Sequence, residues 1–507
     1  MPILYPSPAD RRQEETGELF AAVRKRIIGE HQAIRTPYGM KRLLYADWCA
    51  SGRLYAPIEA YMSQVIGPYV GNTHTESNIT GASMTHAYRF ALQMIKRHVH
   101  AGPGDIVIAS GTGMTGAVNK LQRLLNLRVP EGMSGRIRLA EEERPVIFIT
   151  HMEHHSNHIS WQETIGEVVI VPPDLEGRVS PLMLERTVAQ YRHRPYKIGA
   201  FTACSNVTGL AAPVHQLAQV MHRYGGVAFI DYSASAPYVP INMHPLDPEE
   251  ALDGIMFSPH KFLGGPGTNG ILVVNAGLLR NCVPDHPGGG TVVWTDPWGG
   301  RYYHANIEER EDGGTPGFLQ MIRTALCLKV KEQMGTDRME ERKLKLLGEL
   351  RRYLDANPRV HVLEGRHWVR QGIVSFTMDG LHYKLVTRLL NDRFGIQARG
   401  GCSCAGSYGH YLFGIGSHTS GQIYGQIAAG HTAGKPGWVR ISLHPVMELQ
   451  DVQAIGEALS AIAFHGEEWA GDYCWDDCEG DFRHISGQHT SAIEDLERDW
   501  ELFQQAL

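Results

Sequence analysis

Short apolar runs separated by amphipathic stretches dominate the middle of the chain. One such run lies at 199–204, a helix opened by Pro213 and closed by Gly225 and Gly226 follows, and a second run, 227–230, ends in Asp231. A further apolar run at 105–110 precedes a glycine-rich helix start. This order predicts strand, helix, strand units in an α/β domain with an open parallel sheet.

The pattern changes after residue 333. A charged amphipathic helix over 337–354 and a helix near 381–394 are predicted, with strands at 373–376 and 438–443. We expect a long glycine- and histidine-rich loop over 406–436, acting as a lid, and a tail that ends in an amphipathic helix. An N-terminal helical arm is expected around 14–30. The predicted limits are 1–43 for the arm, 44–333 for a large domain, 334–465 for a small domain and 466–507 for the tail.

Composition fits this organisation and narrows the class of protein. A chain of 507 residues with 43% hydrophobic residues and a net charge of −6 is typical of a mildly acidic globular protein with more than one domain. There is no basic run that would indicate nucleic acid and no apolar run of membrane-spanning length. Eight scattered cysteines and a start without a signal-peptide pattern favour the cytoplasm.

The strongest candidate for chemistry is Lys261, within the segment 257–267 that leads from a short apolar strand into a glycine-rich turn. A lysine there can reach a pocket and form a Schiff base, although an ordinary solvated lysine would look similar. Asp231 lies 30 residues earlier, at the carboxyl end of a predicted strand, where open parallel sheets bind ligands. A helix cap or a turn residue is the plainer interpretation of Asp231.

Two further motifs follow predicted strands. The segment 113–119 opens a helix with glycines, so that free backbone N–H groups can meet a phosphate, although a plain turn explains it equally. His154 belongs to a histidine cluster directly after the strand 146–149, where an imidazole can stack on a flat ring and exchange protons. Metal binding or a structural cap are the alternatives for this cluster.

In their order along the chain, these motifs resemble the class V aminotransferase group of pyridoxal phosphate (PLP) enzymes, and within it the cysteine desulfurases. The resemblance runs from about Leu44 to about Phe464. It implies the PLP-dependent transferase fold type I, which has a large, mainly parallel domain of the seven-stranded type and a smaller α+β C-terminal domain.

The resemblance also implies roles in binding PLP. Lys261 would bond the cofactor covalently, Asp231 would keep its ring nitrogen protonated, and His154 would stack on the ring and assist acid–base steps. Further implied cofactor contacts come from Met114, Thr115, Asn206, Ser258, His260 and Thr315. Met114 stands where the family usually has a second threonine, and Ala234 where it commonly has a glutamine.

Other implied roles concern the substrate and the oligomer. His74 matches an early substrate loop. Thr315 follows the turn Asp312-Gly313-Gly314, which in relatives reaches the phosphate of the neighbouring subunit, so the resemblance implies a homodimer.

The segment 397–406 separates the possible reactions. Arg399, Gly401, Cys404 and Ala405 match the desulfurase motif position by position. A mobile thiolate at Cys404 would take the sulfur of L-cysteine as a persulfide and leave L-alanine, with a sulfur-acceptor protein as a possible partner. The resemblance implies that Arg440 clamps the substrate carboxylate, with Arg399 nearby.

Alternatives remain open at this stage. Cys402 is interpreted as a resolving or relay thiol, half of a metal-ligand pair, or a small loop residue. The same fold could serve an aminotransferase, a carbon–sulfur lyase or an epimerase in which Cys404 is incidental, as Ala234 and the long loop would allow. A metal- or cluster-binding protein using Cys402, Cys404, Cys474 and Cys478 is a third hypothesis. For Cys474, Cys478 and the nearby His484 we favour ordinary residues over a metal site.

Overall fold

The computed structural model describes residues 8–487 and 499–500. Its strands, in chain order, are β1 (Ala33–Thr36), β2 (Gly39–Arg42), β3 (Leu44–Tyr45), β4 (Asp105–Ser110), β5 (Val146–Thr150), β6 (Glu167–Val171), β7 (Lys197–Thr202), β8 (Val227–Asp231), β9 (Gly254–Phe257), β10 (Gly270–Asn275), β11 (Val292–Thr295), β12 (Arg301–Tyr303), β13 (Val360–Val362), β14 (Ile373–Met378), β15 (Ile396–Gln397), β16 (Arg399–Gly401), β17 (Trp438–Ser442), β18 (Tyr473–Asp476) and β19 (Asp481–His484). Its α-helices are α1 (Pro8–Arg24), α2 (Ala56–Ala60), α3 (Ile79–His98), α4 (Gly113–Leu124), α5 (Glu131–Ser134), α6 (His155–Gln162), α7 (Pro181–Gln190), α8 (Val214–Arg223), α9 (Ile307–Arg310), α10 (Phe318–Met334), α11 (Thr336–Asp355), α12 (Tyr383–Phe394), α13 (Gly406–Phe413), α14 (Ser417–Ala428) and α15 (Leu449–Trp469).

Contacts divide the chain into two compact units. The larger comprises 51–206 and 210–336, and the smaller comprises the described parts of 1–50, 207–209 and 337–507. The short segment 207–209 belongs to the smaller unit although both of its neighbours in sequence belong to the larger. The domain limits expected from the sequence stay a prediction. Within the described residues, no helix has the length and apolar character needed to span a membrane.

The larger unit is built on a seven-stranded sheet of order β4-β10-β9-β8-β7-β5-β6. The pairs from β6 to β9 are parallel, whereas β10 runs antiparallel to both of its neighbours. All five residues of β5 are buried, as expected for a strand covered on both faces. Apolar side chains of β4, α4, β5 and β8 form a continuous buried core that holds the strand ends rigidly.

Parallel register places the carboxyl ends of three central strands at one edge of this sheet. Thr202, the last residue of β7, is level with Asp231, and Asp231 is level with Met256 in β9. Loops that follow these strands therefore start close together.

The smaller unit contains a four-stranded antiparallel sheet of order β13-β14-β17-β16. Helix α12 packs against β16 and β17 on one side and against α15. In the register of the two strands, Arg399 lies directly opposite Arg440. This pairing brings together two arginines that are 41 positions apart in sequence.

Three expectations need correction. The segment 406–436 is not one long loop, because it folds into α13 and α14, and in α13 Tyr408 and Gly409 are buried. The N-terminal helix spans Pro8–Arg24 rather than 14–30. The tail contains an antiparallel hairpin of β18 and β19, and α15 continues past Gly466 to Trp469. Apart from residues 499–500, which are helical, the expected final amphipathic helix lies outside the described residues.

Candidate active site

Lys261 and Asp231 lie close to each other in the larger unit. Lys261 ends a single 3₁₀ turn, Pro259–Lys261, that directly follows Ser258 at the end of β9, and its N–H donates to the Ser258 carbonyl at 3.1 Å. Asp231 is buried, and its Oδ1 accepts the N–H of Ser233 at 2.9 Å. Burial raises the pKa of Asp231, while hydrogen bonds from Ser233 and the positive charge of Lys261 oppose that rise. The carboxyl and the lysine are thus within electrostatic reach.

The start of α4 forms a cradle beside this pair. Gly113 has φ +64°, a left-handed backbone that favours glycine, and a Cβ there would lie 2.9 Å from the Ser258 hydroxyl and 3.2 Å from the His260 ring. The N–H of Met114 donates to Ser258 Oγ at 2.8 Å. Thr115 Oγ1 lies 2.6 Å from Ser156 Oγ at the start of α6. Hydroxyls and backbone N–H groups at the positive end of a helix fit a phosphate well.

His154 caps the start of α6. Its Nδ1 accepts the N–H of Ser156 at 3.1 Å, and the half-buried ring is fixed by this bond. Because Nδ1 accepts this hydrogen bond, the neutral imidazole carries its proton on Nε2. Asn206, four residues after β7, is also buried at the edge of the sheet where Asp231 lies.

Glu153 is a buried carboxylate that the sequence analysis did not single out. It accepts from Thr150 Oγ1 at 2.6 Å, from the N–H of Thr202 at 2.9 Å and from Asn157 Nδ2 at 2.9 Å. It therefore ties the ends of β5 and β7 to α6, and so fixes the loop that carries His154. The only local signal was its position directly before that histidine.

Ser233 provides a polar group next to Ala234, which occupies the position of the family glutamine. Its hydroxyl lies 3.4 Å from Ser258 Oγ, so Ser233 connects Asp231 to the cradle. Both Ser233 and Ala234 are buried.

His74 and Thr315 belong to a second group of loops in the larger unit. Thr315 Oγ1 is 3.3 Å from Asn72 Oδ1, and the Gly314 N–H donates to Gly289 O at 2.8 Å. His74 has φ +67°, and Thr73 and His74 line a cavity of about 660 Å³ together with Asp312. Burial raises the pKa of Asp312, and His74 is one of the groups that oppose the rise.

In the smaller unit, one carboxylate bridges Arg399 of the 397–406 motif and Arg440 of β17. Arg440 Nη2 lies 2.7 Å from Asp47 Oδ1, and Arg399 Nε lies 3.2 Å from Asp47 Oδ2. The side chain of Arg440 is only 2% exposed, whereas that of Arg399 is 44% exposed. Burial disfavours the charge of Arg440, but Cys49, Asp47 and Cys404 together raise its pKa. Cys404 therefore lies near a permanently charged guanidinium.

Cys404 occupies an exposed position in a tight turn after β16. Ser403 and Cys404 have φ of 50° and 56°, and the Ala405 N–H donates to the Cys402 carbonyl at 2.9 Å. An exposed thiol beside arginines can act as a nucleophile. Asp47 and Cys49 were missed as neighbours of Arg440, because their proximity depends on a contact nearly 400 residues apart.

Cys474 and Cys478 are exposed cysteines in the hairpin of β18 and β19. The Cys474 thiol donates a hydrogen bond to the Arg483 carbonyl at 3.7 Å. Across 8–487 and 499–500, no group of three or more histidine, cysteine or acidic side chains is arranged to hold a metal ion.

The protein family described as Aminotransferase class-V matches residues 44–455. The chain belongs to the aminotransferase class-V family. The family predicted from the motifs is thereby confirmed. A relative from Halalkalibacterium halodurans, described as a probable cysteine desulfurase, is 28% identical over 371 residues, which are 72% of this chain and 84% of the relative. A second, from Mycobacterium leprae, described as probable cysteine desulfurase 2, is 26% identical over 378 residues, 73% of this chain and 85% of the relative.

Solved structures confirm the predicted fold class. The apo cysteine desulfurase of Thermococcus onnurineus superimposes with a TM-score of 0.70 at 22% identity, covering 87% of this chain and 98% of that one. A cysteine desulfurase of Escherichia coli gives a TM-score of 0.63 at 20% identity, covering 82% and 94%. This class V chain has the type I fold of PLP-dependent transferases.

Proposed function

We propose that this class V protein is a PLP-dependent cysteine desulfurase, which removes sulfur from L-cysteine as a persulfide and releases L-alanine. The observation that carries the proposal is the exposed thiol of Cys404, in a tight turn within electrostatic reach of the buried Arg440. The description of the relatives as desulfurases supports it. An aminotransferase needs no such thiol.

The residues of the larger unit fit PLP. Lys261 provides the amine that would bond the cofactor, Asp231 the buried carboxylate for its ring nitrogen, and the loop at Gly113 a space beside hydroxyl and N–H donors that a Cβ would fill. Met114, Thr115, Ser258 and His260 are the proposed phosphate ligands, with His154 on the ring, Asn206 beside its hydroxyl, and Thr315 from a second subunit. When bound, PLP supplies an electron sink for the electrons released at the substrate Cα.

The protein's own groups then have distinct tasks. Arg440 and Arg399 bind the substrate carboxylate through guanidinium hydrogen bonds, and His74 contributes to substrate binding. Lys261 Nζ moves the proton at the substrate Cα, and His154 holds or passes a proton nearby. The thiolate of Cys404 attacks the substrate sulfur. A sulfur–sulfur bond forms, the substrate carbon–sulfur bond breaks, and protonation of that carbon gives alanine.

Three finer points belong to the same proposal. The protein acts as a homodimer in which Thr315 serves the neighbouring subunit, a sulfur-acceptor protein takes the persulfide sulfur, and the reaction takes place in the cytoplasm.

The test is turnover of L-cysteine in the presence of a thiol reductant, measured as alanine and sulfide. Wild type should release both in equal amounts. Cys404→Ala should lose at least ~100-fold of this rate, because the nucleophile is gone. Cys474→Ala, which removes an exposed thiol from the β18–β19 hairpin, is the matched control and should behave as wild type. Undiminished sulfide release by Cys404→Ala would overturn the mechanism.

A class V aminotransferase, carbon–sulfur lyase or epimerase is the second candidate. It is favoured by Ala234, since the loss of the usual glutamine changes the polar surroundings of the cofactor. A screen of amino acids with keto-acid acceptors distinguishes the two. Transamination of a donor at a higher kcat/KM than L-cysteine desulfurisation would favour this candidate.

A further inference from the structure

Cys402 and Cys404 flank one residue, yet they have different surroundings in the smaller unit. Gly400 lies opposite Val439, and a Cβ on Gly400 would lie 2.6 Å from Thr387 Oγ1 and 3.3 Å from Tyr383 Cδ2. This face of the β16–β17 pair therefore meets α12. Cys402 directly follows the last residue of β16 and lies two positions after Gly400, so its backbone begins where this face of the pair ends.

Electrostatics agree with this assignment. The pKa of Tyr383 is raised to about 12, mainly by burial and secondly by the negative charge of the Cys402 thiolate. Cys404 acts on Arg440, which lies on the face that carries Asp47. Cys404 is thus within electrostatic reach of Arg440, and Cys402 within electrostatic reach of Tyr383.

The turn that joins the two thiols is tight and strained. Two successive residues, Ser403 and Cys404, are left-handed without being glycine, at a cost of roughly 1–2 kcal/mol each. The bond from Ala405 to the Cys402 carbonyl closes the turn. Two peptide units limit the Cα separation of the cysteines to ~7.6 Å. A persulfide on Cys404 is therefore tethered within reach of the Cys402 thiol, and a rearrangement that moves Ser403 or Cys404 out of the left-handed region relieves strain.

We propose that Cys402 is a second sulfur carrier, which takes the outer sulfur from Cys404 and presents it on the Tyr383 side. The inference rests on the proposed desulfurase function. The Cys402 thiolate attacks the outer sulfur of the Cys404 persulfide, the sulfur–sulfur bond at Cys404 breaks, and Cys404 leaves as a thiolate. The proton of the Cys402 thiol ends on Cys404, and no oxidant or reductant is consumed.

The surroundings of Tyr383 suit delivery of sulfur to another molecule. Tyr383 lines a cavity of about 360 Å³ with Phe413 and Pro436, near the two ends of the helical segment 406–436. Residues 405–434 contain no Asp, Glu, Lys or Arg, and helix α14 buries none of its side chains. Moving the sulfur to Cys402 frees Cys404 for another substrate while the first sulfur waits for an acceptor thiol.

The test counts alanine in the absence of any acceptor or reductant. Holoenzyme is mixed with two equivalents of L-cysteine per subunit, because excess substrate thiol would itself accept the sulfur, then quenched with an alkylating agent and mapped by peptide mass spectrometry. Wild type should release about two alanines per subunit, with one sulfur on each cysteine, whereas Cys402→Ser should release about one, because a single nucleophile is left. Cys474→Ser should match wild type.

A kinetic arm gives a second readout. A tethered thiol has an effective concentration in the millimolar range, so with external thiol at about 0.1 mM the first sulfur should move to Cys402 before it is released, and wild type quenched after one turnover should carry it on Cys402. Cys402→Ala repeats the measurement without a hydroxyl, and retained first-turnover alanine shows that either variant has folded.

Three results would overturn the relay. They are equal alanine counts in wild type and Cys402→Ser, sulfur found on Cys404 alone, or a Cys402–Cys404 disulfide with one sulfide released. Absence of alanine from wild type would instead refute the desulfurase function itself.

Discussion

Asp47 offers the sharpest test of how the smaller unit is held together. It accepts from two arginines that differ in burial, since the side chain of Arg440 is 2% exposed and that of Arg399 is 44% exposed. Asp47→Asn keeps the size and one acceptor oxygen but removes the negative charge. Arg399→Gln removes the exposed partner and leaves the buried pair intact. The two variants therefore separate the buried from the exposed interaction of one carboxylate.

The expected costs follow from burial. Breaking a buried ion pair by removing one partner costs ~3–5 kcal/mol, because the other charge is left without compensation in a poorly polarisable interior. The amide oxygen of asparagine keeps a hydrogen bond to Arg440, so we expect the lower end, ~3 kcal/mol. An exposed pair such as that of Arg399 contributes only ~0–1 kcal/mol. Asp47→Asn should therefore destabilise by ~2 kcal/mol more than Arg399→Gln.

The assay is equilibrium unfolding in urea at neutral pH, with both variants and wild type compared at unchanged slope. Added salt should weaken the effect of Arg399→Gln and leave that of Asp47→Asn nearly unchanged, because buried pairs are screened less. Equal losses for the two variants, or a loss below ~1 kcal/mol for Asp47→Asn, would refute the reasoning from burial.

Three further outcomes are expected. Glu153→Gln should lower the free energy of unfolding by ~2 kcal/mol, because an amide N–H would face one of the four donors that now bind the side chain, namely the Thr150 N–H and hydroxyl, the Thr202 N–H and Asn157 Nδ2. A shift in the urea midpoint measures it. Gly113→Ala should weaken PLP binding by roughly tenfold or more, because its Cβ would crowd Ser258 and the backbone at this position is left-handed. Absorbance titration of the apoprotein with PLP measures the change. Gly104→Ala is the control, since a Cβ at that position would meet no other atom within 4 Å. Burial beside Trp48 lowers the pKa of His444 to about 3. Below about pH 6.5 this histidine is therefore protonated in the unfolded chain but stays neutral in the folded protein. The free energy of unfolding consequently falls as the pH falls. Between about pH 6.5 and pH 5, wild type should lose ~2 kcal/mol more than His444→Gln in urea unfolding, and a parallel loss in both would contradict the assignment.

The parts of the fold that the sequence predicted well are those with local signals. The strand at 105–110 and the helix start at Gly113 were recognisable because a buried apolar run and a glycine-rich turn are encoded next to each other. Asp231 followed from the end of an apolar run in the same way. The proximity of Asp231 to Lys261 depends on the parallel pairing of β8 with β9. The 30-residue spacing between the two residues was compatible with that pairing but did not require it.

The helical segment 406–436 shows why other parts of the fold were not predicted from the sequence. Helix α14 contains Gly421 and Gly425 and buries no side chain, so it lacks the apolar stripe that marks a helix in sequence. A bond from His410 to Ser420 at 2.8 Å links α13 to α14, and no local pattern reports it. Asp47 beside Arg440 is likewise a contact across 393 positions. Such contacts arise only when the chain has folded.

Chemical reduction of the purified protein tests the central claim most directly, because the proposed reaction begins with PLP bonded to one amine. Borohydride fixes such a bond, and peptide mass mapping then locates the modified residue. Lys261 should carry the reduced cofactor in stoichiometric amount. Protein that converts L-cysteine to alanine while Lys261 is found unmodified would contradict the assignment.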